Sequence, residues 1–244
     1  MEEWRRRELL IAGVGLILTS SCGGQRRVRE EAPAEEPPPA EPASVPPTDP
    51  GVREPAAAGE AAPPEEAPLP PVSILERVLP RSSWTSMPVD PGRARPMKGI
   101  RRITIHHEGS GHVRTATDYA SNAALIERIR AYHVEARGWA DLGYHFVIDP
   151  AGRIWEGRPL AWQGAHVRDF NAHNLGVVLL GNFDRQQPSL QQLIVLPQLV
   201  QALRRQYAVP LGSLRSHQEW TPTACPGKNM QPRFEQMRSA GQFT

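Results

Sequence analysis

The sequence predicts an α/β fold over residues 72–244, with a single mixed central β-sheet flanked by α-helices. Strand-like segments alternate along this region with two long segments of helical periodicity. Its 173 residues are enough for one sizeable core. The start of the domain is set by composition, because 14 of the 26 prolines lie between positions 33 and 71.

Five segments have the pattern of strands. Residues 100–106 alternate and are rich in isoleucine and threonine, whereas residues 175–180 form a continuous apolar run, typical of a strand covered on both faces. Residues 144–149 and 153–156 flank the turn sequence D-P-A-G, which predicts that these two strands pair. A short last strand is expected at 211–215.

Three segments predict helices, at 117–137, 189–206 and 232–237. Gly138 suits the end of the first helix. Its predicted buried face contains Leu125, Ile126, Ile129, Tyr132, His133 and Ala136. The second helix is expected to bury Leu193, Leu196, Leu199, Val200 and Leu203.

Residues 1–24 have the pattern of a secretory signal peptide: a basic segment, about ten apolar residues and then small residues before Cys22. The run is too short to span a membrane, which takes about 20 residues. It resembles a bacterial lipoprotein signal with Cys22 as the lipidated residue, although Thr19 stands where an aliphatic residue is usual. The alternative is an ordinary cleaved signal peptide. We therefore expect export, with the protein held as a membrane-anchored lipoprotein that faces the periplasm or the cell wall.

Residues 25–71 are predicted to be a disordered linker. Proline, alanine and glutamate dominate, and ten acidic residues with one arginine give positions 30–71 a net charge of −9. Such a segment buries too little apolar surface to offset its ordering entropy. We expect a spacer with no binding role of its own.

The domain at 72–244 carries 21 basic and 13 acidic residues, a net charge of +8. A basic face suits an anionic polymer. Nucleic acid is not expected as a partner, because the sequence has no recognition-helix, zinc-finger or aromatic RNA-binding motif and is expected to be exported. The two cysteines are far apart, which excludes a disulfide-stapled scaffold. We expect a monomer.

Potential metal ligands stand at the ends of the predicted elements. His106 or His107 closes the first strand, His217 follows the last one, and Cys225 lies eight residues further on. Two imidazoles and a thiolate with a fourth position left open are typical of a catalytic zinc site. The spacing alone does not decide between His106 and His107, although strand alternation places His106 on the face opposite the isoleucines.

Six sequence blocks make the domain recognisable. They are I-T-I-H-H-E-G (103–109), Y-H-V-E-A-R-G-W-A-D-L-G-Y-H-F (132–146), G-R-I-W-E-G-R (152–158), G-A-H (164–166), N-L-G-V-V-L-L-G-N-F (174–183) and S-H-Q-E-W-T-P-T-A-C-P-G (216–227). In this order they resemble the zinc-dependent N-acetylmuramoyl-L-alanine amidases of the phage-lysozyme and peptidoglycan-recognition-protein family, also called amidase type 2. The resemblance begins at R-S-S-W (81–84) and covers most of the domain.

The resemblance implies that His106, His217 and Cys225 hold Zn²⁺. It also implies that Tyr144 polarises the scissile carbonyl or orients the attacking water. Thr223 stands where the phage enzymes carry lysine and the catalytic recognition proteins carry threonine, which makes it the second candidate donor to the oxyanion. The family's cleft grips the muramyl sugar together with the stem peptide, so peptidoglycan is the implied partner.

Substrate binding is predicted for residues expected near the cleft. These are His166, Arg168, Asn171 and Asn174. For His166, substrate contact and simple loop packing are both open, and either His166 or a water relayed from Tyr144 could protonate the leaving amine. His133 and His145 are expected to be structural. The tryptophans at 84, 155, 162 and 220 could stack on sugars, but packing is the more usual role.

The predicted function is therefore zinc-dependent hydrolysis of the amide between N-acetylmuramic acid and L-alanine, in cell-wall remodelling or recycling. One alternative is a peptidoglycan-binding module without catalysis. Members of that kind typically replace the cysteine, whereas this chain keeps Cys225 with both histidines. The other alternative is a scavenging amidase that acts on released anhydro-muropeptides.

Overall fold

The computed structural model describes residues 73–244. The predicted signal peptide at 1–24, its lipidation at Cys22 and the predicted linker at 25–71 lie outside the described residues, and so does the first residue of the predicted domain. Within the described part, no helix has the length and apolar character needed to cross a membrane.

Five strands form one mixed sheet. They are β1 (Arg102–His107), β2 (Phe146–Ile148), β3 (Ile154–Glu156), β4 (Asn174–Leu179) and β5 (Leu214–Ser216), in the order β3-β2-β4-β1-β5. The pairs β2·β4, β4·β1 and β1·β5 are parallel, and β2·β3 is the antiparallel hairpin expected around the D-P-A-G turn. The predicted mixed sheet is confirmed.

Three helices flank the sheet, as predicted. They are α1 (Tyr119–Glu135), α2 (Leu190–Tyr207) and α3 (Gln231–Ser239). The Asp118 side chain accepts from an amide of the first turn of α1. Ser189 and Gln192 form a reciprocal capping box at the start of α2. These caps explain why both helices begin one or two residues inside the predicted limits.

The two faces of the sheet pack against different helices. Ile103 and Ile105 lie in a core with the apolar faces of α2 and α3, whereas Val147 and Val178 pack with Ile126 of α1. The alternation of β1 therefore places His106 on the α1 face, in register with Val178. This is the side of the sheet on which the cleft opens.

Two expectations about the elements are wrong. Tyr132 is 53% exposed on α1, and Ala136, which ends the helix, is exposed as well. The buried face is completed instead by Asn122 and by Arg130, which pairs with Glu127. The predicted last strand at 211–215 is a 3-10 turn over Leu211–Ser213 followed by β5. The turn follows Pro210, whose carbonyl accepts from the amide of Ser213, so pairing with β1 begins only at Leu214.

Candidate metal site and cleft

The carboxyl ends of β1 and β5 bring two histidines together at one edge of the sheet. His106 is the fifth residue of β1, and His217 follows directly after β5. Cys225 reaches the same point from the loop before α3. One ligand atom from each of these three residues lies within 4.8 Å of the others, so the group could hold a metal ion.

The neighbouring His107 points to the opposite face of the sheet. Its Nδ1 accepts from the amide of Phe183, 3.1 Å away, and its ring lies 6.0 Å from the Phe183 ring. The structure therefore brings His106, not His107, to His217 and Cys225, as strand alternation indicated.

The donor set fits zinc chemically. Burial lowers the pKa of His106 well below its usual value and also lowers the pKa of His217, which keeps both imidazoles neutral with a lone pair to donate. Burial raises the pKa of the Cys225 thiol to about 12. A thiolate at this position thus needs a cation beside it, and two nitrogens with one sulfur are a set that Zn²⁺ prefers.

Behind His106, a chain of hydrogen bonds leads away from the cluster. Nδ1 of His106 faces Cys225, with 3.6 Å between Nδ1 and Sγ, while Nε2 of His106 lies 3.0 Å from Nδ1 of His166. Nε2 of His166 lies 3.1 Å from the backbone oxygen of Asn174. Burial lowers the pKa of His166 well below its usual value, so this ring too is neutral.

The hydroxyl of Tyr144 stands beside the cluster. The Tyr144 ring centroid lies 5.2 Å from that of His106. Among the described residues, no side chain or backbone group forms a hydrogen bond with this hydroxyl. Burial raises the pKa of Tyr144, as do the negative charges of Cys225 and Glu108, so the phenol stays protonated. It is therefore a hydrogen-bond donor available to a ligand.

His133 supports the tyrosine from α1. Its Nδ1 accepts from the amide of Gly143, 3.2 Å away, and its ring lies between Trp139 at 4.6 Å and Tyr144 at 5.9 Å. His145 is fully buried, with ring nitrogens paired to the Gly176 amide and the Trp162 carbonyl. Both histidines have structural hydrogen bonds, as the sequence led us to expect.

A cleft of about 830 Å³ opens next to the cluster. Tyr144, His166 and His217 form the wall nearest the cluster. Among the charged residues that line the rest of the cleft, five arginines outnumber one acidic residue, Asp169; the arginines are Arg93, Arg95, Arg137, Arg158 and Arg168. Arg158 is buried and donates to the carbonyls of Asp141, Leu142 and Gln163, so it builds the wall. Arg95 and Arg168 form no ion pair with a described residue.

The predicted substrate-binding residues divide into two groups. Arg168 is exposed on the cleft, and Asn171 lines it while its Oδ1 accepts from the amides of His166 and Val167. Asn174 is fully buried, and its side chain is used by Thr104 and by the Phe170 carbonyl. Direct contact of the Asn174 side chain with a substrate is therefore a wrong prediction.

Thr223 is exposed in the loop before Cys225. Its Oγ1 accepts from the amide of Cys225 at 3.3 Å, which helps to shape that loop. Trp84, Trp155 and Trp220 each donate from the indole to an internal acceptor, which favours packing over sugar stacking. Trp162 is half-buried and pairs with Pro96 near the rim.

Comparison with known proteins places this geometry in a family. The profile of a family described as N-acetylmuramoyl-L-alanine amidase matches residues 95–228, a range that contains the whole His-His-Cys cluster and Tyr144. The chain belongs to the N-acetylmuramoyl-L-alanine amidase family.

Relatives of this amidase family include both recognition proteins and amidases. A peptidoglycan-recognition protein of Drosophila simulans is 35% identical over 161 residues, which are 64% of this chain and 84% of that protein. The N-acetylmuramoyl-L-alanine amidase of Sus scrofa is 34% identical over 169 residues, 67% of this chain but 27% of the longer porcine protein.

Solved structures of the amidase family share the fold. Drosophila PGRP-LB aligns with a TM-score of 0.59 at 28% identity, covering 69% of this chain and 96% of its own. The amidase LysC from Clostridium intestinale aligns with a TM-score of 0.55 at 25% identity, covering 68% of this chain and 98% of its own. The predicted resemblance is thus confirmed.

Sequence reasoning missed several residues of this amidase-family site. Arg93 and Arg95 reach the cleft from one loop and Arg137 from the end of α1, and nothing in the local sequence indicates that these two segments converge. Gly164 and Gly176 lie against the His166 ring. The G-A-H and N-L-G-V blocks contain both glycines, so the motifs marked the positions without revealing the contact.

Proposed function

We propose that this chain is a zinc-dependent amidase that hydrolyses the bond between N-acetylmuramic acid and L-alanine in peptidoglycan. The observation that carries the proposal is the cluster of His106, His217 and Cys225 beside the Tyr144 hydroxyl, which has no partner in the described part of the chain. A binding module needs the cleft alone. The conjunction of a metal-ligand set with an available donor is what amide hydrolysis requires.

In the proposed reaction, three residues would bind the metal ion and a fourth would donate a hydrogen bond to the substrate. His106, His217 and Cys225 would hold the ion, which supplies Lewis acidity and activates water for attack near neutral pH. The protonated hydroxyl of Tyr144 would donate to the carbonyl oxygen as negative charge develops there. Since its raised pKa keeps that phenol neutral, it can donate throughout the physiological pH range.

The basic cleft supports a substrate that carries carboxylates. Arg95 and Arg168 face the cleft without a described ion-pair partner, and Arg137 lines it as well. Stem peptides of peptidoglycan present several free carboxylates, so charge complementarity favours them over a neutral polymer. The related recognition protein PGRP-LE was solved in complex with tracheal cytotoxin, a monomeric diaminopimelic acid-type peptidoglycan.

The test uses the full chain loaded with zinc and incubated with intact sacculi or with soluble anhydro-muropeptides. We expect mass spectrometry to detect stem peptides with a free N-terminal L-alanine, and we expect none after chelation or in Cys225→Ser. His112→Gln, which removes an exposed histidine outside the cluster, is the matched control and should retain activity.

The outcomes separate the competing functions. Release from sacculi supports wall remodelling, and release from soluble fragments alone supports a scavenging amidase. If the chain binds zinc and muropeptide yet releases no peptide, the proposed hydrolysis is wrong and a binding module takes its place.

A further inference from the structure

We infer that His166 is a positioning residue that fixes the tautomer of His106, so that Nδ1 of His106 carries its lone pair toward Cys225 and His217. The inference rests on the metal-binding part of the proposed function but not on hydrolysis. It assigns His166 neither to substrate contact nor to proton delivery, the roles that the sequence left open.

The direction of the hydrogen bonds follows from their last acceptor. The backbone oxygen of Asn174 can only accept, so Nε2 of His166 must carry the hydrogen across the 3.1 Å between them. A neutral imidazole then has a bare Nδ1. This nitrogen accepts from Nε2–H of His106 at 3.0 Å, which leaves Nδ1 of His106 without a hydrogen.

The carbonyl that sets this direction is itself held in place. The side-chain oxygen of Asn174 accepts from Thr104 Oγ1 at 2.9 Å, and its amide donates to the Phe170 carbonyl at 2.9 Å. The Thr104 hydroxyl in turn accepts from the indole of Trp220 at 2.9 Å. Asn174 thus serves the site through its backbone, and its buried side chain fixes the position of that backbone.

Two glycines leave room for the His166 ring and no more. A Cβ on Gly164 would lie 2.4 Å from Cδ2 of His166, and a Cβ on Gly176 would lie 2.7 Å from the same atom. Such distances are well inside van der Waals contact. Any side chain at either position would displace the ring. The close fit therefore holds His166 in the orientation in which Nε2 donates to the Asn174 carbonyl and Nδ1 accepts from His106.

The physical consequence concerns metal affinity. A neutral imidazole exchanges its proton between the two nitrogens, and only the tautomer with a bare Nδ1 can bind a cation placed between His106, His217 and Cys225. The hydrogen-bond acceptor on His166 selects this tautomer before the metal arrives. Partners of this kind typically contribute about 10- to 100-fold in metal affinity.

The experiment measures Zn²⁺ affinity of the full chain by competition with a chromogenic chelator. We expect His166→Ala to weaken binding by about 10- to 100-fold. His166→Gln should restore part of the loss, because its side-chain oxygen can accept from Nε2–H of His106. Gly176→Ala should also weaken binding although it alters no polar group, and His112→Gln should bind as the wild type does.

A second readout needs no variant. Nitrogen-15 NMR of histidine-labelled, metal-free wild type should show His106 protonated at Nε2 and bare at Nδ1. The inference is overturned if His106 is protonated at Nδ1, or if folded His166→Ala and Gly176→Ala both bind zinc within about twofold of the wild type. A chain that shows the expected tautomer and binds zinc but releases no stem peptide contradicts the amidase proposal alone.

Discussion

At the scale of single residues, Tyr144 links the metal cluster to the cleft. Its ring packs 5.2 Å from His106, while its hydroxyl has no partner among the described residues. Tyr144 is half-buried and lines the cleft, so this unpaired hydroxyl keeps access to the space that a ligand can occupy. A donor at this position is what the proposed amide hydrolysis would use at the substrate carbonyl.

Tyr144→Phe tests this role. We expect kcat to fall by about 100- to 1000-fold, the usual effect of removing one donor to a developing oxyanion. KM and zinc affinity should change little, because the ring stays and no ligand is touched. Steady-state kinetics with soluble muropeptide, together with chelator competition, check the prediction. A rise in KM at unchanged kcat would instead assign Tyr144 to substrate binding.

The choice of His106 over His107 shows what a sequence can establish at this scale. Because consecutive side chains of a strand point to opposite faces, His106 and His107 of β1 lie on different faces of the sheet, and this can be predicted from the local sequence alone. The prediction that the Asn174 side chain binds substrate failed because it depends on contacts between distant parts of the chain. Whether that side chain faces the cleft depends on Thr104 and the Phe170 carbonyl, which reach it only in the folded chain.

At the scale of elements, two neutral histidines are buried: His133 in α1, and His145, which directly precedes β2. Burial lowers the pKa of His133 to about 4 and the pKa of His145 to about 4. In the unfolded chain both have a pKa of about 6.5. Below that value the unfolded state binds protons that the folded state does not, so the free energy of unfolding falls as pH falls from about 6.5 to about 4.

His133→Gln tests this linkage. Each histidine contributes up to about 1.4 kcal/mol per pH unit to the slope of stability across this window. The variant should be less stable at neutral pH, because the contacts with Gly143 and Trp139 are altered, yet its stability should depend less steeply on pH across the window. Urea unfolding of metal-free protein at several pH values measures both. An unchanged slope would contradict the linkage.

The elements themselves follow from apolar periodicity, which is why three helices and five strands were predicted within a few residues of their limits. Ser189 and Asp118 stand directly before α2 and α1, so capping chemistry sets these starts locally. The beginning of β5 depends instead on its pairing with β1, and a sequence window does not contain that information.

At the scale of the whole molecule, we propose that the chain is exported and anchored through a lipid on Cys22. The support is the sequence pattern of residues 1–24. Cys22→Ala should move the protein from the membrane fraction to the soluble exported fraction, because one thiol is the attachment point. Fractionation with immunoblotting measures this. A membrane fraction that retains Cys22→Ala would favour a different anchor.

Metal binding by this cluster would also affect the stability of the domain. His106 and Cys225 are 119 positions apart, and Cys225 is the one cysteine among the described residues. A cation shared between them would join two distant parts of the folded chain, and because the unfolded chain lacks the preformed site, its binding free energy would add to the stability of the fold. The three residues proposed to hold the catalytic ion, His106, His217 and Cys225, would then also tie the last third of the domain to its first strand.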